Sequence, residues 1–240
     1  MNPRAESSRQ VPGGERLFQR IYTRLGCEGR PPEFIVDYHP YADLTHTIRL
    51  REGRAHVRIS DALRGAPQTI LEAAAAILLG RLYRRRVSAE FLNAYRAFSY
   101  QSGVRKKLLR LRKARGRRVA HAPGGKNFDL ERMFHQLNEK YFANSLPLPR
   151  LGWSRCVWRS QLGCFDPALH QIVINRQLDK ERVPEFVVAY VLYHEMLHQK
   201  HPVRFERCRR ESHSVEFRRE EKKFAEYQAA MKFLKGFPAD

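Results

Sequence analysis

The pattern of apolar positions in the second half of the chain predicts one long helix that is packed in a core. The helix covers 185–200, and it carries apolar side chains on several sides: Phe186, Val187, Val188, Val191 and Leu192. Pro184 suits a first helical turn, because the N–H that proline lacks needs no partner there. Pro202 stops the helix, since its ring is incompatible with a helix interior. The segment is therefore predicted to be a buried helix with defined ends.

The first half of the chain repeats the order of elements predicted for the second half. Gly53 marks the turn of a hairpin, and Pro67 opens a helix as Pro184 does. The paired segments are 18–25 with 134–142, 34–38 with 151–155, 47–50 and 56–60 with 162–165 and 171–175, 70–84 with 185–200, and 88–91 with 214–217. This order predicts an internal duplication. The alternative is that two α+β units of similar length agree by accident.

The candidate chemistry lies in the buried helix, in the run His194-Glu195-Met196-Leu197-His198. Residues four apart lie on one helix face, so the two histidines can bind one metal ion. Glu195 is then placed to take a proton from a water on that metal. The alternative is a pair of core histidines satisfied by hydrogen bonds. A buried helix gains nothing from such ionisable groups unless they are used, which favours the metal site.

A catalytic zinc site needs a third protein ligand, and His213 is the candidate. Ser214 after it is typical of a helix N-cap, and Glu216 in the first turn suits the positive end of the helix dipole. His201 shares a face with the other two histidines. It lies about 10 Å along the helix from His194, at about 1.5 Å per residue, which is too far for one ion. His201 is therefore predicted to be a loop or helix-end residue.

Three carboxylates of the last helices are weaker candidates, because charged residues there usually form a solvated face. They are Glu216, Glu220 and Glu221. A further donor is needed to stabilise an oxyanion, and the sequence offers Tyr193 and Tyr227 only as nearby polar candidates.

The ordered segments of 127–224 resemble the SprT-like zinc metalloproteases, which include the Spartan proteases. The resemblance rests on the helix 128–142, on Leu-Pro-Leu-Pro at 146–149, on the strands at 151–154, 162–165 and 172–175, and on the motif at 193–198 followed by His213 and Phe217. It implies a zincin-like α+β unit with a short sheet, Zn²⁺ on His194, His198 and His213, and Glu195 as catalytic base. Family members often have glycine after the third histidine, where this chain has Ser214.

The first half then reads as a degenerate copy of such a unit. Aligned on the two prolines, Ile77, Leu78 and Arg81 replace His194, Glu195 and His198. Aligned on the Ser-x-Glu-Phe segments at 88–91 and 214–217, Val87 replaces His213. The copy is predicted to be non-catalytic. Two roles are open for it, a lid over the site and a platform that binds a partner. The predicted organisation is a disordered N-terminus (1–15), the degenerate repeat (16–103), a basic linker (104–126) and the metalloprotease domain (127–240).

Charge points to a polyanionic partner. The formal net charge is +20 over 240 residues, and such a field attracts nucleic acid. The densest cationic run holds nine residues: Arg105, Lys106, Lys107, Arg110, Arg112, Lys113, Arg115, Arg117 and Arg118. No base-reading module is visible, so contact with DNA is expected to be independent of sequence. The alternative is a solubilising linker.

The remaining features favour a cytoplasmic protein. The first residues are not followed by an apolar run, and the stretch 70–79 is too short to span a membrane. Cys27, Cys156, Cys164 and Cys208 lack paired spacing and are expected to be reduced. Association with the nucleoid is compatible with the charge, and nothing in the sequence indicates an oligomeric state.

The predicted function is zinc-dependent peptide-bond hydrolysis by an activated water, with proteins associated with nucleic acid as substrates. Two alternatives stay open at this point. One is a basic nucleic-acid-binding adaptor with a structural or vestigial zinc site, and the other is a metal-dependent hydrolase that acts on nucleic acid.

Overall fold

In the computed structural model, which describes residues 9–116, 122–206 and 209–237, the chain divides into two units. They are Met1–Gly116 and Arg117–Asp240. Each unit has a mixed α+β fold with a small sheet, several helices and its own hydrophobic core.

The first unit is built around a sheet of three strands in the order β1-β3-β2. Strands β1 and β3 are parallel, and β2 and β3 are antiparallel. Its elements are α1 (Gly14–Arg24), β1 (Glu33–His39), β2 (Thr47–Arg51), β3 (Arg54–Ser60), a 3-10 turn (Asp61–Leu63), α2 (Gln68–Leu82), α3 (Ala89–Tyr100) and α4 (Ser102–Arg115). Ala55, Val57 and Ile59 alternate on the buried face of β3, as expected for a half-buried strand. Four consecutive buried alanines, Ala73–Ala76, allow α2 to approach its neighbours closely.

The second unit has a sheet of the same kind, in the order β4-β6-β5. Here too the first pair, β4 with β6, is parallel, and β5 with β6 is antiparallel. Its elements are α5 (Leu130–Phe142), β4 (Arg150–Trp153), β5 (Gly163–Asp166), β6 (Gln171–Ile174), a 3-10 turn (Arg176–Leu178), α6 (Glu185–Lys200), β7 (Arg204–Glu206), β8 (Arg209–Glu211), α7 (Val215–Glu221) and α8 (Tyr227–Lys235). Strand β5 lies at one edge of this sheet.

Helix α6 is the central element of the second unit, and its observed bounds are those expected from the sequence. Val187, Val188 and Leu192 are fully buried, as are Met196 and Leu197 further along. A helix with apolar residues all round is stable only inside a core. Of the polar residues near its C-terminal end, Glu195 is buried, whereas His194 and His198 are partly exposed.

The two units share details beyond strand order. In both, the third strand runs into a 3-10 turn that is capped by a side chain, Ser60 in the first unit and Asn175 in the second. A proline precedes the next long helix in both, Pro67 before α2 and Pro184 before α6. The second unit additionally has the β7–β8 hairpin between α6 and α7.

Two segments bear on the predicted disordered N-terminus and on the predicted basic linker, whose interleaved leucines are compatible with a helical start. Residues 9–15 are ordered, because the backbone N–H of Val11 donates to Val36 O at 3.0 Å and the Val11 side chain is buried. The first part of the basic run is the helix α4, because Val104, Leu108 and Leu111 form a partly buried stripe along it. Residues 1–8 and the basic residues Arg117 and Arg118 lie outside the described residues.

The remaining expectations concern membranes and cysteines. Within residues 9–116, 122–206 and 209–237, no helix is both long and apolar enough to cross a membrane. Cys27, Cys156 and Cys164 form no disulfide with one another, and Cys208 lies outside the described part of the chain.

Asn175 is expected to be the polar residue that contributes most to the stability of the loop before β5. Its buried side chain donates to Trp158 O and Gln161 O at 2.9 Å and accepts from Gln177 N–H at 3.1 Å. Asn175→Ala leaves these groups without partners, so we expect a loss of about 2–4 kcal/mol in unfolding free energy. Urea unfolding followed by tryptophan fluorescence measures it, because both tryptophans lie in the second unit.

Asn175→Asp serves as the comparison, since it keeps the acceptor and loses both donor bonds. Its carboxylate would face both carbonyl oxygens in a buried site, so at neutral pH it should be no more stable than Asn175→Ala. An alanine variant as stable as the native chain would contradict this account of the loop.

Candidate metal centre

Helix α6 supplies two of the three histidines of the site. His194 and His198 lie one turn apart on the same helix face, with ring centroids separated by 4.9 Å. The rest of α6 is fixed in the core, so both rings are presented from a rigid element. Each ring is partly exposed, and the His194 side chain keeps 25% of its accessible surface.

The third histidine comes from the segment that joins β8 to α7. His213 directly precedes Ser214, whose hydroxyl accepts from the Phe217 N–H at 3.2 Å and thereby caps α7. This cap fixes the direction in which the chain enters the helix. The His213 ring lies 5.1 Å from that of His194 and 4.8 Å from that of His198, centroid to centroid.

The three rings converge through the same nitrogen. His213 Nε2 lies 3.3 Å from His194 Nε2 and 3.2 Å from His198 Nε2. Tetrahedral zinc with nitrogen ligands at about 2.0–2.1 Å requires its ligand atoms to be about 3.3 Å apart. Within the described part of the chain, these residues form the only group of three or more side chains arranged to hold a metal ion. The donor set therefore fits zinc, and the described residues of this group supply three of the four ligands of a tetrahedral ion.

Burial also sets the protonation of these rings. It lowers the pKa of His198 to about 4, an effect to which the neighbouring charges of His194 and His213 add. Burial likewise lowers the pKa of His213, again with a contribution from His194. Both imidazoles are thus neutral at physiological pH, and the neutral ring is the form that binds a metal.

Glu195 points from α6 to the edge strand of the sheet. The backbone N–H of Phe165 in β5 donates to its carboxylate. Gly163 in the same strand leaves the space that the carboxylate occupies, because a Cβ there would lie 2.7 Å from Glu195 Oε1. Burial raises the pKa of Glu195 to about 7, against the smaller opposing effects of His194 and of the Phe165 hydrogen bond. A carboxyl with this pKa can both accept and donate a proton near neutral pH.

A second carboxylate lies behind the histidines. Glu221 Oε1 is 2.7 Å from His194 Nδ1, and it accepts a hydrogen bond of 2.9 Å from the Tyr190 hydroxyl. Burial acts to raise the pKa of Glu221, but the hydrogen bonds from His194 and Tyr190 hold it below its ordinary value. This carboxylate is therefore ionised at neutral pH.

The other candidate ligands lie apart from this group. His201 is the C-terminal cap of α6, and its Nε2 lies 3.3 Å from Glu220 Oε2. Glu220 also binds Lys200 Nζ at 2.7 Å, and Glu216 is exposed. The expectation of a solvated face holds for Glu216, but it is wrong for Glu221, which turns inward to His194.

No observed contact places the hydroxyl of Tyr193 or Tyr227 where it could donate to an oxyanion. The Tyr193 hydroxyl donates to the Glu220 carbonyl at 2.8 Å, so it is already engaged in joining α6 to α7. The Tyr227 ring packs edge-on against Tyr190, with centroids 5.8 Å apart.

The predicted nucleic-acid contacts lie in the first unit as far as the structure describes them. Those on α4 are Arg105, Lys106, Lys107, Arg110, Arg112, Lys113 and Arg115. Apart from the half-buried Arg112, their side chains are exposed.

Sequence reasoning missed Gly163 and misjudged Glu221. Both depend on side chains that meet across elements far apart in the chain, and no local pattern marks such a contact. A glycine inside a strand does signal a close approach by another group, and that signal could have singled out Gly163.

Comparison with known proteins agrees with the resemblance seen in the sequence. Residues 130–238 match the family model of the SprT-like family, which is typically a family of zincin-like metalloproteases. No curated protein and no solved structure matches the chain.

Ionisation of Glu195 is expected to destabilise the metal-free protein. Its pKa rises from 4.5 to about 7 on folding, so the folded state holds the proton more tightly and loses stability as pH rises between these values. The loss should reach about 3 kcal/mol above pH 7. Glu195→Gln should therefore be more stable than the native chain at pH 8, and the difference should vanish below about pH 4.5. Urea unfolding of chelator-treated protein across this range measures it.

The control is Glu139→Gln, which changes an exposed carboxylate on α5. We expect its pH dependence to follow that of the native chain. Parallel curves for the native chain and Glu195→Gln would contradict the burial argument.

Proposed function

Because residues 130–238 belong to the SprT-like family, we propose that this chain is a zinc-dependent metalloprotease that hydrolyses peptide bonds. The observation that carries the proposal is the arrangement of three imidazole Nε2 atoms at zinc-ligand spacing, with a carboxyl of pKa about 7 on the same helix. A purely structural zinc site would be closed by a fourth protein ligand. Three ligands and an adjacent carboxyl suit catalysis better.

His194, His198 and His213 would hold the zinc. When bound, zinc supplies the Lewis acidity that makes a water molecule nucleophilic near neutral pH. Glu195 takes a proton from the attacking water and later gives it to the leaving amine. The Phe165 N–H and the space beside Gly163 hold the carboxylate in one orientation for both transfers. Burial keeps the His198 and His213 rings neutral, so their lone pairs remain available to the metal.

The sharpest test of catalysis is the substitution Glu195→Gln. Glutamine keeps the size of the side chain, so the variant should bind zinc like the native chain. Glutamine cannot take up the proton from the attacking water, so catalysis should be lost. Its cleavage of casein or histone should fall by at least about 100-fold, the usual contribution of a general base. Zinc content by metal analysis and proteolysis with and without single-stranded DNA give the two readouts.

Two further variants separate the metal from the base. His213→Ala should lose most of its zinc, whereas His201→Ala, the matched control, should keep it. Equal cleavage by the native chain and Glu195→Gln would rule out Glu195 as the base. A native chain that binds zinc and DNA but cleaves no protein would support the adaptor function with a vestigial site.

We also propose that the first unit arose by duplication of the second and lost its chemistry. The shared strand order, the matching parallel and antiparallel pairs and the capped 3-10 turn support this origin. Leu78 and Arg81 stand on α2 where the base and a ligand would stand. Experimental structures of both units whose equivalent helices failed to superpose once the sheets were aligned would contradict it.

We propose DNA as the partner of α4, with cytoplasmic, DNA-associated proteins as substrates. Two of the cations on α4 are used within the first unit: Lys107 Nζ donates to Ala62 O at 2.7 Å, and Arg115 Nη1 binds Asp61 Oδ1 at 2.7 Å. These contacts attach α4 to the 3-10 turn after β3. They leave other cations of the run to face solvent.

The outward cations share one face of the helix. Lys106, Arg110 and Lys113 are exposed and are spaced by four and three residues, so they form one stripe. Phosphates of a nucleic-acid backbone complement such a stripe without any reading of bases. The three side chains are therefore the proposed contacts with DNA.

Replacing all three by glutamine should weaken binding to single strands of unrelated sequence alike. Loss of three phosphate contacts should reduce the slope of log affinity against log salt by about 2. Fluorescence anisotropy at several salt concentrations measures this slope.

The control removes three exposed arginines from strands of the same unit, Arg49, Arg51 and Arg58. It changes the net charge equally, so it should lower the slope much less if α4 is the contact. Equal effects of the two triple variants would mean that DNA senses only the overall charge.

A further inference from the structure

Glu221 occupies the last position of α7, and its side chain turns back toward α6. Only 16% of the side chain is exposed. One carboxylate oxygen serves two groups on α6, His194 Nδ1 at 2.7 Å and the Tyr190 hydroxyl at 2.9 Å. Such a carboxylate, buried and bonded twice from one neighbouring helix, is held in a single position.

We propose that Glu221 is the positioning residue for His194 in the metal site. An ionised carboxylate can only accept, so the His194 nitrogen that faces it, Nδ1, must carry a proton, and a metal can bind only through the other nitrogen. The lone pair then sits on Nε2, the nitrogen that faces His213 at 3.3 Å. Glu221 thus fixes both the tautomer and the rotation of the ring, and its charge makes the ring a stronger donor to a metal. This inference rests on the proposed zinc site.

Glu221 itself is outside the set of ligand atoms. It meets His194 through Nδ1, whereas the histidines converge through Nε2. The nitrogen that would hold a metal and the nitrogen that contacts Glu221 are therefore the two different nitrogens of the His194 ring. That geometry separates the role of Glu221 from that of His213.

The adjacent carboxylate has a different task. Glu220 binds Lys200 Nζ at 2.7 Å and lies 3.3 Å from His201 Nε2, and neither partner belongs to the histidine cluster. Among the described side chains, the pair of His194 with Glu221 is the only ion-pair contact made by any of the three histidines. Two neighbouring glutamates on one helix thus provide a test residue and its control.

The experiment measures zinc affinity by competition with a chelator for the full chain and four variants. Glu221→Ala should bind zinc about 10–100-fold more weakly, which is the usual cost of removing such a partner. Glu221→Gln keeps an acceptor without the charge and should lose less. Tyr190→Phe removes only the second bond to Glu221 and should lose less than Glu221→Ala, and Glu220→Gln should bind zinc like the native chain.

A second readout separates positioning from general support of the fold. Long-range ¹H–¹⁵N NMR spectra report which nitrogen of His194 carries the proton. They are recorded for the zinc-free protein, because zinc on Nε2 would leave the proton on Nδ1 in every variant. The native chain and Glu221→Gln should show the Nδ1–H tautomer, whereas Glu221→Ala should show a mixture. Circular dichroism checks that each variant is folded, and Glu221→Gln tests the affinity if the alanine variant is not.

Equal zinc affinity for Glu221→Ala and Glu220→Gln, or an unchanged tautomer in Glu221→Ala, would overturn the inference. If the native chain binds no zinc, the proposed function fails, and the metal-free spectra still decide the role of Glu221. The two failures are therefore distinguishable.

Discussion

The site depends on one buried ring, that of Phe217. The ring has no exposed surface, and its centroid lies 4.7 Å from those of His198 and His213 and 5.1 Å from that of His194. An apolar ring in contact with all three imidazoles excludes water from one side of the cluster and fixes the spacing between the rings. Because Phe217 also anchors α7 to the core, packing and metal-ligand geometry are set by the same contact.

Two carboxylates beside His194 are driven to opposite states by their surroundings. Glu195 is buried against the edge strand, where burial dominates and its pKa rises to about 7. Glu221 is also largely buried, but two hydrogen-bond donors keep its pKa below the ordinary value. One group can therefore exchange protons near neutral pH while the other remains a fixed negative charge. Divergent environments of this kind are how one site assigns different roles to identical side chains.

The sequence predicted the elements well where the pattern was local. Helix 185–200 was delimited by its apolar residues and the two prolines, and Ser214 was recognised as the cap of α7. The histidines were found by their spacing on one helix and by a downstream capped segment. Their convergence on one point could be seen only in three dimensions, since it depends on how α7 packs on α6.

Contacts between distant elements account for what the sequence left out. Glu221 resembled any charged residue on an exposed helix, because its partners Tyr190 and His194 are about thirty positions away. The role of Gly163 depends on the approach of Glu195 from another element. The apolar residues of the basic run lie on one side of α4, but no local pattern marks its attachment to the 3-10 turn after β3 through Lys107 and Arg115.

Helix α7 has only seven residues, and it joins His213 at one end to Glu221 at the other. Each residue of a helix turns the chain by about 100°, so one inserted or deleted residue would aim the carboxylate away from the imidazole it faces. The β7–β8 pair is less constrained, because it supplies neither a histidine of the cluster nor the carboxylate that contacts His194. Evolution of this protein should therefore tolerate changes of length in the hairpin and reject them in α7.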